Sequence, residues 1–152
     1  MLLKTHIAIS TFFALLILPY INDKVIFLVM VILASAIPDA DSKYALAGRG
    51  FFMRILQFFV GHRGIIHSFL FLMPVTFFLV LIFPKLAFGF FLGFSLHLLA
   101  DSFTIHGIKP LYPFGETLSG IIKTGGILET GLFIFIVLSD AVLLLIRMLY
   151  LF

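Results

Sequence analysis

Cysteine and tryptophan are both absent from the 152-residue chain, and charged residues make up only 11% of it, against roughly 25% in an ordinary soluble domain. Without cysteine there are no disulfides, zinc–thiolate sites or thiol nucleophiles, and the redox compartment cannot be read from thiol usage. Scarcity of charge beside 62% hydrophobic residues excludes a water-soluble globular domain and identifies a membrane protein. Ten Lys+Arg against seven Asp+Glu give a formal charge of +3. That excess is too small and too scattered to recruit nucleic acid, and orientation in a bilayer accounts for it. The chain also lacks a Walker-type phosphate loop, a nucleophile elbow and a Cys–His pair.

At ~20 residues per crossing, the length suits one transmembrane domain over residues 1–152 and leaves no room for a separate soluble module. Apolar stretches run over 2–18, 25–37, 65–83, 86–100 and 127–152, with Pro38 ending the second and Pro84 the third. Residues 51–60, FFMRILQFFV, place Arg54 and Gln57 three apart amid aromatics, the pattern of an amphipathic helix lying in the interface. The expectation is an all-α polytopic membrane helical bundle of about five transmembrane helices plus that interfacial helix. Ala34-Ser35-Ala36 imitates a signal-peptidase site, but two apolar runs precede it where a signal peptide has one. The N-terminus is therefore expected in the mature protein.

Five crossings put the N-terminus and the loops 38–64 and 105–126 on one side. That side holds Lys4, Lys43, Arg49, Arg54, Arg63, Lys109 and Lys123, and the other holds Lys24, Lys85 and Arg147. The positive-inside rule then makes the first side cytoplasmic. Tyr20 and Tyr150 fall at one interface and Tyr44 and Tyr112 at the other, as an aromatic belt requires.

Polar residues gather at the cytoplasmic helix ends. His6 opens the first helix, Asp39 and Asp41 close the second, His62 and His67 open the third, and His97 and Asp101 close the fourth, with His106 shortly after. Ionisable residues at membrane depth default to a functional reading. Singly, each has a plainer explanation: a solvated interfacial histidine, an intrahelical His97–Asp101 hydrogen bond, a solvated turn after a helix stop. Convergence of four helix ends weakens those explanations collectively. His97 and Asp101, at i and i+4, share one helical face, the spacing with which two ligands grip one ion. Asp39 and Asp41 follow a proline, so an extended segment there would point both carboxylates to one side. His62 and His67 would not share a face of a regular helix, but Gly61 and Gly64 let His62 belong to the loop while His67 sits in the first helical turn. Asp41, His62 and Arg63 are the residues most able to serve without touching a metal. Histidine and carboxylate ligands without cysteine suit zinc, manganese or iron, and their number exceeds what one tetrahedral ion needs, so two ions are expected. Such a pair can bind the attacking and leaving oxygens of a phosphoester, leaving a carboxylate as base.

The set Thr5-His6, Pro38-Asp39-Ala40-Asp41, His62-Arg63-Gly64-Ile65-Ile66-His67-Ser68, and Gly93 through His97, Asp101, Thr104, Gly107 and Pro113-Phe114 resembles the LexA-regulated, membrane-bound metal-dependent hydrolase family of inner-membrane proteins. The resemblance covers about residues 4–114, and the paired HRGxxHS and HLLxDxxTxxG blocks carry its specificity. It implies a small helical inner-membrane protein with a hydrolase site distantly similar to zinc-dependent phospholipase C. On that relation His97, Asp101 and His6 are ligands, Asp39 a ligand or base, and His62 or His67 a further ligand. Departures are the missing N-terminal Trp, the missing second histidine-x-x-x-glutamate pair, which puts a third metal in doubt, and Ile66 where the HRG block usually has threonine.

These readings converge on a cytoplasm-facing metal-dependent hydrolase that cleaves a phosphoester of a lipid or lipid-linked substrate with metal-activated water. His6, Asp39, His62, His67, His97 and Asp101 are the expected ligands and Asp41 and Arg63 the catalytic groups. Lys43, Arg49 and Lys109 are available for phosphate, though each also serves as a topology-setting charge. Membrane lipids are the expected partners, no nucleic acid is expected, and the sequence leaves a homo-oligomer open. The competing classes are a metal or proton transporter and a noncatalytic metal-stabilised scaffold.

Overall fold

Proline and glycine decide where the helices stop and how closely they pack. The computed structural model describes residues 1–41 and 64–149, the side chains of Ala40 and Asp41 excepted. These residues form five α-helices: α1 (Leu3–Ile17), α2 (Lys24–Ala36), α3 (Phe69–Ile82), α4 (Pro84–Ser102) and α5 (Ile127–Leu149). Among the described residues there is no strand, only the isolated bridges Thr104 to Ile122 and Ile108 to Leu118 within the loop after α4. Two stretches, Leu3–Tyr20 and Ile127–Leu149, are long and apolar enough to cross a membrane. At 13 and 14 residues, α2 and α3 fall short of the ~20 that a full crossing takes. The amphipathic segment 51–60 and Tyr44 and Tyr150 lie outside the described residues.

Three local expectations are corrected. Pro84 does not only end the third apolar stretch: it is the first residue of α4 and Phe83 alone separates α3 from α4, because the missing N–H of proline costs nothing at a helix start. His67 is not in the first turn of α3. Ile65–His67 forms a separate 3-10 turn, and Ser68 is extended with φ −135° before the helix begins. Nor is the segment after α2 extended, since Pro38–Asp41 is itself a 3-10 helix, with proline again at a position that needs no donor.

Within a bilayer, helix association gains little from apolar transfer, because lipid tails are as apolar as leucine; close backbone approach matters more. Gly89 and Gly93, four apart on α4, provide it. A Cβ at Gly93 would lie 2.2 Å from the Val31 carbonyl oxygen, and one at Gly89 3.0 Å from Met30 Cβ. The α2 and α4 backbones therefore touch. Ala34, Leu72, Phe90, Phe94, Leu98 and Ile108 fill one core cluster beside this crossing, and Ala14, Phe27 and Val31 a second. Helix α1 packs against α2 and α5. Outward, Phe77, Phe78 and Leu81 of α3 and Phe135, Leu138 and Leu145 of α5 are exposed, an apolar wall suited to hydrocarbon.

At one end of the bundle Lys85 Nζ lies 3.0 Å from Asp23 Oδ2, joining the α1–α2 turn to the start of α4. The start of α1 and the C-terminal ends of α2 and α4 therefore lie at the other end, where Glu129 also brings the start of α5.

Candidate metal centre

His97 is placed by α4 and oriented by α2. Its Nδ1 is 2.8 Å from the Ser35 carbonyl oxygen. A carbonyl only accepts, so Nδ1 carries the proton and Nε2 keeps its lone pair. The Gly93 crossing one turn earlier makes this reach from α4 to the end of α2 short. Asp101, one turn beyond, lies on the same face with Oδ2 3.8 Å from His97 Nε2.

Helix α1 adds His6, whose Nε2 is 3.2 Å from Asp101 Oδ1 and whose ring stacks on His97 with centroids 3.8 Å apart. The Met1 amino group contacts the same Asp101 oxygen. From the other side come Asp39 and His67. Asp39 Oδ1 is 3.9 Å from His97 Nε2 and 3.8 Å from His67 Nε2. His6, His97 and Asp101 are fully buried and His67 nearly so, while Asp39 is 22% exposed. Burial by itself would raise the Asp39 carboxyl, but His67, then His97 and His6, outweigh it and hold this group below its ordinary value, with Asp101 opposing them.

Both ring nitrogens of His67 and Nε2 of His97 are buried without a hydrogen-bond partner. Each such atom costs about 1–3 kcal/mol when left unsatisfied. His6, Asp39 and His97 offer ligand atoms all within 4.8 Å of one another, as do His67, His97 and Asp101. Ligands about 2.0–2.2 Å from a tetrahedral ion stand roughly 3.3–3.6 Å from each other, so the observed separations need little closing. Orphaned imidazole nitrogens facing carboxylates fit a divalent cation of the harder, nitrogen- and oxygen-binding type.

Of the sequence-derived candidates, the structure brings together His6, Asp39, His67, His97 and Asp101. The Asp41 side chain, Lys43, Arg49, His62 and Arg63 lie outside the described residues. Lys109 is exposed; the neighbouring Pro110 carbonyl accepts the Phe69 amide at 2.8 Å, bringing its loop beside the start of α3. Exposed His106 has no place in either ligand group. Ile66 packs against the apolar core. In the HLLxDxxTxxG block the last two positions build the loop. Thr104 Oγ1 donates to the Asp101 carbonyl at 2.7 Å and accepts the Gly107 amide at 3.3 Å. Gly107 itself has φ +60° and a Cβ there would meet the Leu118 carbonyl.

Glu129 supports the site without joining it. It is 1% exposed, and its two oxygens accept the backbone amides of Leu2 and Gly125, each at 2.6 Å. The start of α1 is thereby fastened to the start of α5. Sequence reasoning missed Glu129, because its partners are the backbone amides of Leu2 and Gly125, which no side-chain pattern reveals.

A helical bundle with apolar outer walls and a buried His/Asp cluster at one end defines an integral membrane protein with a metal-site geometry. Over residues 1–151 it matches the family described as YdjM inner membrane protein. The chain belongs to that family, which places it in the inner membrane. It is also similar to the "Uncharacterized protein YvsG" of Bacillus subtilis (strain 168), 32% identical over 81 residues. That match covers 51% of each protein, so the chain spans about half the length of the curated relative it matches. No solved structure matches the chain.

Proposed function

We propose that this protein is a membrane-embedded, metal-dependent hydrolase that cleaves a phosphoester of a lipid or lipid-linked substrate at the cytoplasmic face. The observation that carries the reading is the buried cluster of three imidazoles and two carboxylates at a shared helix end, with unpartnered ring nitrogens. His6, Asp39, His67, His97 and Asp101 would hold the metal, zinc in preference to manganese or iron. Five donors exceed the needs of one four-coordinate ion, which supports a pair of ions. When bound, such ions supply Lewis acidity toward a phosphoryl oxygen and acidify water. Ser35 fixes the His97 tautomer through its carbonyl, and Glu129 fixes His6 by anchoring the first turn of α1. Asp41 is proposed as the base and Arg63 as a phosphate contact in the transition state, with His62 as a further ligand. Lys43, Arg49 and Lys109 would hold the substrate phosphate at headgroup level. The bundle crosses the bilayer five times in this reading, with the shorter helices tilted or extended by flanking residues.

The test is Asp101→Asn and His97→Ala in the purified, reconstituted protein, read by metal content, hydrolysis of a phosphoester panel, and folding. The expected result is lost metal and lost hydrolysis in a folded bundle. Loss of metal flux from a parent without hydrolytic activity would point to a transporter. Unfolding on substitution or chelation would point to a structural ion, since binding energy is then folding energy.

A further inference from the structure

Between α1, α4 and α5 lies a cavity of about 330 Å³ with no polar surface. Ile9 and Phe13 of α1, Leu96 and Leu99 of α4, and Leu132 and Ile136 of α5 form its walls. On each helix these residues are three or four apart, so the walls are stripes parallel to the helix axes. Phe13 and Leu99 are 40% and 54% exposed, so the cavity opens outward, between the two helices long and apolar enough to cross the membrane. Its inner end reaches the candidate metal centre: Met1 and Ala100 line it, and they are respectively the residue whose amino group contacts Asp101 and the residue preceding Asp101.

We propose that this groove holds one acyl chain of a glycerophospholipid whose phosphate lies at the His/Asp cluster. The inference deepens the hydrolase reading and rests on it for the headgroup, but the groove makes its own case. A wholly apolar, outward-opening channel parallel to the two helices long and apolar enough to cross a membrane has the direction of an acyl chain, and its junction with the buried carboxylate places the polar end. The volume corresponds to roughly eleven water-sized units of ~30 Å³, about one methylene each. That is the scale of a single chain and too small for two chains or a long polyprenyl tail. Water gains nothing there, because no polar group lines the walls.

An internal control comes with the fold. A second apolar cavity of about 340 Å³, lined by Thr76, Val80, Pro84, Ala87, Phe88 and Phe91, sits between α3 and α4, toward the end marked by the Lys85–Asp23 pair. Bulk lipid would enter both.

The experiment reconstitutes the full chain in phosphatidylglycerol vesicles doped with phosphatidylglycerol bearing a diazirine midway along one acyl chain. After photolysis, the crosslinked residues are mapped. The expected result is severalfold more labelling at Ile9, Leu132 and Ile136 than at Val80, Ala87 and Phe91. Ile136→Trp, which fills the groove, should remove the first set and leave the second set and the metal content unchanged. Leu132→Phe provides a milder filling variant if the first does not fold. Equal labelling of both cavities, or groove labelling unmoved by a folded filling variant, would overturn the proposal. Hydrolysis is scored separately. Ile136→Trp should lower cleavage of long-chain phosphatidylglycerol by roughly tenfold, as withdrawing about two methylenes from apolar contact would, and spare a dibutyryl analogue. Selective groove labelling in a protein inert to every phosphoester would sink the hydrolase reading and keep the lipid site. Hydrolysis with indiscriminate labelling would do the reverse.

Discussion

Asp140 is buried on α5, and its Oδ1 has no hydrogen-bond partner. A transporter would need such a carboxyl within the membrane; an enzyme working at the helix ends would not. An unsatisfied polar group of this kind costs about 1–3 kcal/mol. Asp140→Leu, similar in size, is therefore expected to raise the thermal midpoint and leave bound metal unchanged, as checked by a melting curve and elemental analysis of the same preparation. Lost metal would tie Asp140 to the site and revive transport. Glu129→Gln is expected to behave differently. One oxygen continues to accept, but the amide nitrogen faces a backbone N–H, so the start of α1 loosens and metal affinity falls by roughly 10–100-fold, the usual effect of removing a group that orients a ligand. A metal titration with Glu129→Asp in parallel checks this, since the shorter acid should restore affinity only in part. Legibility at this scale divides by chemistry. His97 and Asp101 could be read because four residues on a helix is a fixed geometry, and Asp39 because a proline marks where α2 must stop. Ser35 and Glu129 could not, because each acts through a backbone atom.

Helix α4 carries two glycines with opposite neighbours to those of Gly131 on α5. A Cβ at Gly93 collides with the Val31 carbonyl, whereas one at Gly131 meets nothing within 4 Å. Gly93→Ala should force α2 and α4 apart at a cost of about 1–3 kcal/mol, and Gly131→Ala should stabilise by about 0.5–1 kcal/mol through helix propensity alone. Unfolding curves in mild detergent compare them. Equal effects would mean that α2 and α4 do not touch. Because that contact also carries the Ser35 carbonyl to His97, Gly93→Ala should weaken metal binding as well, which Gly131→Ala should not. The spacing of Gly89 and Gly93 is visible in the sequence, but which helix they receive is not, since any of the other apolar helices could have supplied the partner. Proline misled at this scale for a related reason. It ends one helix and begins the next equally well, so Pro84 was legible as a boundary but not as the first residue of α4.

For the molecule as a whole, the excess of lysine and arginine predicts that the loop 38–64 faces the cytoplasm. The absence of cysteine makes the test clean. In intact cells an impermeant thiol reagent should label Lys85→Cys and spare Lys43→Cys; the opposite pattern would invert the orientation and put the metal centre outside. The salt bridge at Lys85 is exposed and contributes at most about 1 kcal/mol, so its loss does not confound the comparison. The membrane class of the protein was legible because it follows from composition. The arrangement of helices around α4 was not, since apolar surfaces in lipid carry no pairing code.

The hydrogen bond from Leu2 to Glu129 joins residues 127 positions apart. At roughly 5–20 residues per second, the ribosome delivers the second partner about 6–25 s after the first. Through most of that interval His6 is already made while His97 and Asp101 are not, and the seam later covered by α5 stands open. The first turn of α1, which carries His6, thus stays without its Glu129 anchor until α5 has been made. Nascent chains stalled before α5 emerges are therefore expected to hold a divalent ion more weakly than chains stalled beyond Glu129.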